Sequence, residues 1–217
     1  MREIVLMSDP RVAAVPVREN GEPLADLRRV PGLLVDERKR DGAGAFAHLR
    51  EGVLARLLDA QAKLPDGMRL LVVEGYRPPP LQRRYFEEYA ADLRAANPGW
   101  SAGQVHTAAS RYVSPPQIAP HSAGAAVDLT LADAHGRELD FGTRVNASPE
   151  ESLGACYTAF AGIGDEARRH RDVLGAALAA AGLVNYPTEW WHWSYGDRYW
   201  ALRTGAAAAL YGPLEKV

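Results

Sequence analysis

The sequence predicts one domain that mixes helices with short strands, on three observations. A chain of 217 residues is long enough for one sizeable core, and no composition shift or Ser/Gly-rich linker divides it. Residues 45–65 and 79–97 repeat apolar side chains at helical spacing. Residues 69–75 and 126–131 are short and β-branched or alternating, as strands are. Hydrophobic residues make up 47% and the net charge is -2, so the basic excess of a nucleic-acid partner is missing. No apolar run approaches the length of a membrane span.

Residues 1–42 carry charge, proline and glycine with short apolar runs at 4–7 and 12–17, which predicts extended segments and turns wrapped on the core. The run at 4–7 lies between charged residues and is too short for a signal-peptide core. The single cysteine, Cys156, cannot close an internal disulfide, so nothing demands an oxidising compartment. Together these predict a cytoplasmic protein.

Phe46, Leu49, Val53, Leu54, Leu57 and Leu58 place one apolar face on a helix that Pro65-Asp66-Gly67 ends, with His48 near the stripe as a packing or surface residue. Residues 69–75 form a strand, and Arg77 follows at its end. Strand ends are where a rigid scaffold presents functional groups, although a salt bridge would use an arginine equally well. Pro79 and Pro80 suit the first turn of a helix. Leu81, Tyr85, Phe86, Tyr89 and Leu93 continue it to Asn97-Pro98-Gly99, and it reads as structural.

Residues 100–120, with His106 and prolines at 115, 116 and 120, read as a long loop near a cleft. In residues 126–131, Val127, Leu129 and Leu131 share one strand face and Asp128 takes the other. His135 falls in an exposed turn. Ser148 and Glu151 have the spacing of a capping box and predict a helix start. A further helix runs from Asp165 to Gly182 with His170 on its charged flank. Residues 186–200 read as two strands joined at 195–198.

Two segments offer metal ligands. His121 and Asp128 lie seven positions apart across small residues, where Gly124 lets the chain bend so that both converge. Glu189 and His192 come from a later segment. Two imidazoles and a carboxylate are a common set for a catalytic zinc with its fourth position open, which leaves Glu189 free as a base. Spacing of three would put Glu189 and His192 on opposite faces of a regular strand, so Glu189 is expected on an irregular turn after Pro187. Trp190, Trp191 and Trp193 would wall the pocket. Such a set supports amide hydrolysis: zinc activates water, Glu189 moves its proton, and Arg77 meets the oxyanion. Read singly, each histidine could instead be a satisfied core or surface group, and Asp128 a turn cap.

His-Ser-Ala-Gly-Ala-Ala-Val-Asp at 121–128 resembles the His-x-x-Gly-x-Ala-x-Asp signature of zinc D-alanyl-D-alanine peptidases. Glu-Trp-Trp-His at 189–192 is similar to the partner motif of the D-Ala-D-Ala dipeptidases of the vancomycin-resistance (VanX) type, and Gly75-Tyr-Arg-Pro78 to that family's arginine motif. The segments occur in the family's order, over about residues 45–200. The resemblance implies an α+β fold with an antiparallel sheet flanked by helices and a zinc site in a cleft. It implies one Zn2+ held by His121, Asp128 and His192, with Glu189 as base and Arg77 on the intermediate. Small D,D-dipeptides cleaved in the cytoplasm are the implied substrates, and Ser122 and Asn146 are the substrate-binding candidates. Three features depart from the pattern: the amino-terminal forty residues, which in the family help close the dipeptide pocket, match poorly, and two single residues differ. Ala119 stands where the family commonly has serine, and neutral Asn146 where its aspartate meets the substrate's ammonium. These departures predict retained hydrolysis with a changed amino-terminal preference. The alternatives are a D,D-carboxypeptidase or divergent peptidase acting on a longer or N-modified peptide, and a non-catalytic metal-binding homologue.

Overall fold

The computed structural model describes residues 4–214. In chain order the elements are α1 (Pro10–Ala14), β1 (Leu24–Asp26), β2 (Leu34–Val35), β3 (His48–Arg50), α2 (Glu51–Gln61), β4 (Arg69–Glu74), α3 (Pro79–Ala96), α4 (Ala102–Ala109), β5 (Ala126–Ala132), α5 (Asp165–Ala180), β6 (Val184–Asn185), β7 (His192–Ser194) and α6 (Arg198–Thr204). The main sheet has the order β2-β4-β5-β7-β6. Only β2 and β4 run parallel; the remaining pairs are antiparallel. β1 and β3 form a separate antiparallel pair. This is the α+β architecture that the resemblance implied.

β5 is the middle strand and is buried along its whole length. Val127, Leu129 and Leu131 enter a core shared with Val53 and Leu57 of α2 and with Leu174 and Leu178 of α5. The alternate residues, Ala126, Asp128 and Thr130, are also buried, so a polar residue on that face needs partners within the protein. A second small core joins α3 to α4 through Ala90, Leu93, Val105 and Ala109. Among the described residues no helix is long and apolar enough to cross a membrane.

Several local expectations change. The helix foreseen from Ala45 begins only at Glu51: Ala45–Ala47 form a single 3-10 turn and β3 follows, with the Phe46 and His48 carbonyls accepting from the backbone N–H groups of Gly75 and Tyr76. His48 is half-buried, with Nδ1 on the Gly44 carbonyl. The expected loop at 100–120 contains α4, capped by Ser101 and Gln104 in a reciprocal box.

At Ser148 the cap bond forms, Glu151 N–H to Ser148 Oγ at 3.1 Å, yet only turns follow. The Glu151 carboxylate pairs with Arg144 instead of closing the box, and Leu153 and Gly154 take left-handed φ of 52° and 82°. His170 is buried rather than on a charged flank, and its Nδ1 donates to the Asp140 carbonyl. The last two strands are β6 and β7, joined by residues 186–191; residues 195–197 lead into α6, which Asp197 caps. His135 is exposed as expected, and His106, placed in the expected loop, is exposed on α4.

The amino-terminal segment is tied to the core around Glu19 and Glu22 by Arg50, which is 1% exposed. Its Nε donates to the Ala123 carbonyl at 2.9 Å, and its Nη atoms reach the Glu22 and Gly212 carbonyls and the Glu19 carboxylate. Leu27 and Leu33 add apolar contact with the core. Replacement of Arg50 by Met should strand these carbonyl acceptors and lower the unfolding free energy by about 3 kcal/mol, measured by urea denaturation, since each orphaned buried acceptor costs about 1–3 kcal/mol.

Candidate metal centre

The site begins with a slip in the sheet. Between β4 and β5 the register is Val72 opposite Leu129, then Glu74 opposite Asp128, so Val73 forms a bulge. Across the next pair Asp128 lies opposite His192. Glu74, Asp128 and His192 therefore form one row across three neighbouring strands.

His121 joins this row from a single 3-10 turn, His121–Ala123, that enters β5. Gly124 closes the turn at φ 63°, where an added Cβ would come within 2.5 Å of Leu24. His121 Nδ1 donates to the Gly75 carbonyl at 2.7 Å, which fixes the tautomer and turns the Nε2 lone pair inward. Nε2 lies 3.2 Å from His192 Nδ1 and 3.3 Å from Asp128 Oδ1, and His192 Nδ1 is 3.0 Å from the same carboxylate oxygen. Glu189 sits on the irregular turn before β7, with Oε2 3.8 Å from His192 Nδ1.

Burial governs the electrostatics. It would raise Asp128, but the neighbouring His121 and His192 outweigh it and hold that carboxyl far below the usual carboxylate range. Burial, reinforced by the Asp128 charge, pushes Glu189 well up. His192 is pushed down by burial against the pull of Asp128. Burial opposes the charge on Arg77, but Glu74 prevails and holds it cationic; Arg77 Nε and Nη2 donate to Glu74 at 2.8 and 2.7 Å, and Nη1 to Gln82.

These residues fit a divalent metal. Three donor atoms, from His121, Asp128 and His192, lie within 4.8 Å of one another and are all buried. Glu74, Asp128 and Glu189 against Arg77 leave two negative charges when both imidazoles are neutral, as ligation requires. A zinc ion would satisfy both the donor set and the charge.

The three ligands, Glu189 and Arg77 line one cavity of about 320 Å³. Asn146 also lines it, with a left-handed φ of 61° and a buried Nδ2 that has no hydrogen-bond partner among the described residues. Ser122 lies behind the cavity; its hydroxyl donates to the Arg77 carbonyl and so supports the arginine from below. The tryptophans are not pocket walls. Trp190 stacks on Phe141 at 4.2 Å, and all three belong to the core. The walls come from residues the sequence reading passed over: Tyr85, Glu88, Tyr89 and Asp92 along α3, Tyr112 beyond α4, and Lys39. Positions 85, 88, 89 and 92 share one helix face, so tyrosines and carboxylates together on that face were the available signal.

The Glu74–Arg77 pair should hold the arginine in place at a measurable cost when broken. Glu74→Ala should lower the unfolding free energy by about 3–5 kcal/mol, whereas Glu74→Leu combined with Arg77→Met should lose much less, because no unpaired charge stays buried.

Comparison with known proteins agrees with this geometry. The family model described as D-ala-D-ala dipeptidase matches residues 44–206. A D-alanyl-D-alanine dipeptidase of Synechocystis sp. is 32% identical, covering 87% of this chain and 87% of its own. One from Escherichia coli is 28% identical over 58% of this chain and 55% of its own. A solved structure, VanYB in complex with D-Alanine-D-Alanine, aligns over 76% of this chain and 82% of its own at 20% identity, with a TM-score of 0.44. The chain thus belongs to the D-ala-D-ala dipeptidase family, whose members are zinc metallopeptidases.

Proposed function

We propose that this protein is a cytoplasmic, single-domain zinc dipeptidase that hydrolyses small D-amino-acid dipeptides such as D-Ala-D-Ala. The observation that carries the reading is the convergence of His121, Asp128, His192 and Glu189 in one small cavity of a chain from this family. About 320 Å³ lies at the small end of ligand pockets and suits a dipeptide better than an extended peptide. Cys156, a buried free thiol, suits a reducing compartment.

His121, Asp128 and His192 hold the metal, which when bound lowers the pKa of a coordinated water towards roughly 7 and polarises the scissile carbonyl. Glu189 takes the proton of the attacking water and delivers it to the leaving amine. Its buried position beside Asp128 keeps that proton from being lost to solvent. Arg77, aimed by Glu74 and Gln82, faces the negative charge that develops on the carbonyl oxygen. Ser122, through the Arg77 carbonyl, fixes the backbone from which that side chain springs.

Asn146 sets the preference at the amino-terminal end of the substrate. Its carboxamide can accept from an ammonium or donate to an acyl carbonyl, without the charge that would favour the ammonium strongly.

Two measurements check this reading. Glu189→Gln should retain one zinc per chain by metal analysis while D-Ala-D-Ala hydrolysis falls by roughly 10²–10⁴-fold; unchanged turnover would remove Glu189 as the base. Asn146→Asp should shift the ratio of kcat/KM for free over N-acetylated dipeptide towards the free form by about tenfold or more, the range of a charge-assisted contact. An unchanged ratio would show that Asn146 does not meet the substrate's amino end.

A further inference from the structure

Arg38, Lys39 and Arg40 are three consecutive cations that lie ahead of the family-matched region. Two of them are engaged outside the cavity: Arg38 with Asp36 and Glu138 at 2.6 and 2.5 Å, and Arg40 with Glu37 at 3.3 Å. Lys39 is half-buried and turns into the cavity that holds the metal ligands. Its Nζ lies 5.3 Å from the centre of the Tyr85 ring, and Arg77 Cζ lies 5.1 Å from the same centre. The two cations therefore sit within roughly 10 Å of each other, on a scale that a dipeptide can span.

Their charges differ in status. Arg77 is neutralised within the protein by Glu74. Lys39 has no ion-pair partner among the described residues; the wall carboxylates Glu88 and Asp92 do not come within pairing distance of it, and Glu88 turns to Arg84 instead. A half-buried ammonium facing an open cavity is suited to an anion carried in by a ligand.

We infer that Lys39 Nζ receives the free C-terminal carboxylate of the substrate and so makes the site selective for peptides that end at the second residue. The inference rests on the dipeptidase reading above. A dipeptide entering this cavity must exchange the hydration of its carboxylate for protein contacts, which is costly without a cation. A chain continuing past the second residue puts a neutral amide where Lys39 offers charge, and loses that contact.

The test compares D-Ala-D-Ala with D-Ala-D-alaninamide, which lacks the terminal charge, on the full-length, zinc-loaded protein. Lys39→Met should raise KM for the acid roughly ten- to a hundred-fold with little change in kcat, and leave the already poor amide substrate as it was. Lys39→Arg should restore most of the loss. Thermal unfolding should change little, because Lys39 makes no ion pair among the described residues and gives up only its contact with the Tyr85 ring. Calorimetric binding of the same two ligands to zinc-loaded Glu189→Gln protein, with and without Lys39→Met, gives a readout independent of turnover. If the wild type turns over neither compound but the binding preference for the acid depends on Lys39, the peptidase reading fails and the carboxylate site stands. If Lys39→Met affects acid and amide alike, or neither, in both turnover and binding, the assignment is overturned.

Discussion

Four ionisable side chains and one carboxylate–guanidinium pair are packed together almost out of reach of bulk water, and the sheet survives this because a bulge at Val73 puts Glu74 level with Asp128 and His192. Without that slip the β4 residue facing Asp128 would be Val73, and Arg77 would lose the carboxylate that compensates it. The bulge thus does two things at once. It ends regular pairing where the chain must turn out to Arg77, and it aligns the acidic row to which His121 is added through the Gly75 carbonyl. Gly75 has little latitude in this role, since a Cβ there would lie 2.4 Å from the His48 carbonyl. Strand register, turn and imidazole tautomer are therefore linked through a few consecutive residues.

The chemical heart of the site was legible in the sequence because each part has a local cause. Asp128 could be assigned to one face of β5 from period-two alternation alone, and the bend before it follows from Gly124. The displacement of Glu189 from strand geometry follows from its spacing to His192. What stayed hidden is non-local. The bulge at Val73 is a property of pairing between strands more than fifty residues apart. The stretch at 46–50 fits a helical stripe, but Gly75 and Tyr76 bond to its carbonyls and it forms a 3-10 turn leading into β3. Helix α4 is different, for Ser101 and Gln104 formed a readable capping box that the surrounding prolines obscured. At Ser148 the same kind of signal gave the bond without the helix, because a cap fixes an end and cannot supply the tertiary packing that most helices need.

The wall of the cavity has a different origin from its floor. The floor comes from β4, β5, β7 and their turns, inside the family-matched region. Part of the wall comes from Lys39, ahead of it, and part from α3, whose Tyr85, Glu88, Tyr89 and Asp92 occupy neighbouring turns of one face. Helix α3 looked structural because Leu93 and Ala90 do pack against α4. A helix can serve a core with one stripe and a cavity with the next, and hydrophobic spacing reports only the first. This arrangement lets the wall change while the row of ligands stays fixed.

Asn146 illustrates how narrow such a change can be. Its φ of 61° is left-handed, a region that most side chains avoid and that Asn, Asp and Gly accept. The backbone is held there from both sides, with the Asn146 carbonyl accepting from the Tyr112 hydroxyl at 2.9 Å and from Arg144 at 3.0 Å. Glycine would satisfy the backbone but present nothing to the cavity. Aspartate, the residue of the family pattern this chain resembles, and asparagine both satisfy it and differ in charge and in whether the side chain carries an N–H donor. The conformational demand thus favours at this position a choice between a charged acceptor and a neutral amide of one shape, so that under the proposed function the preference for the substrate's amino-terminal group can change here without disturbing the fold.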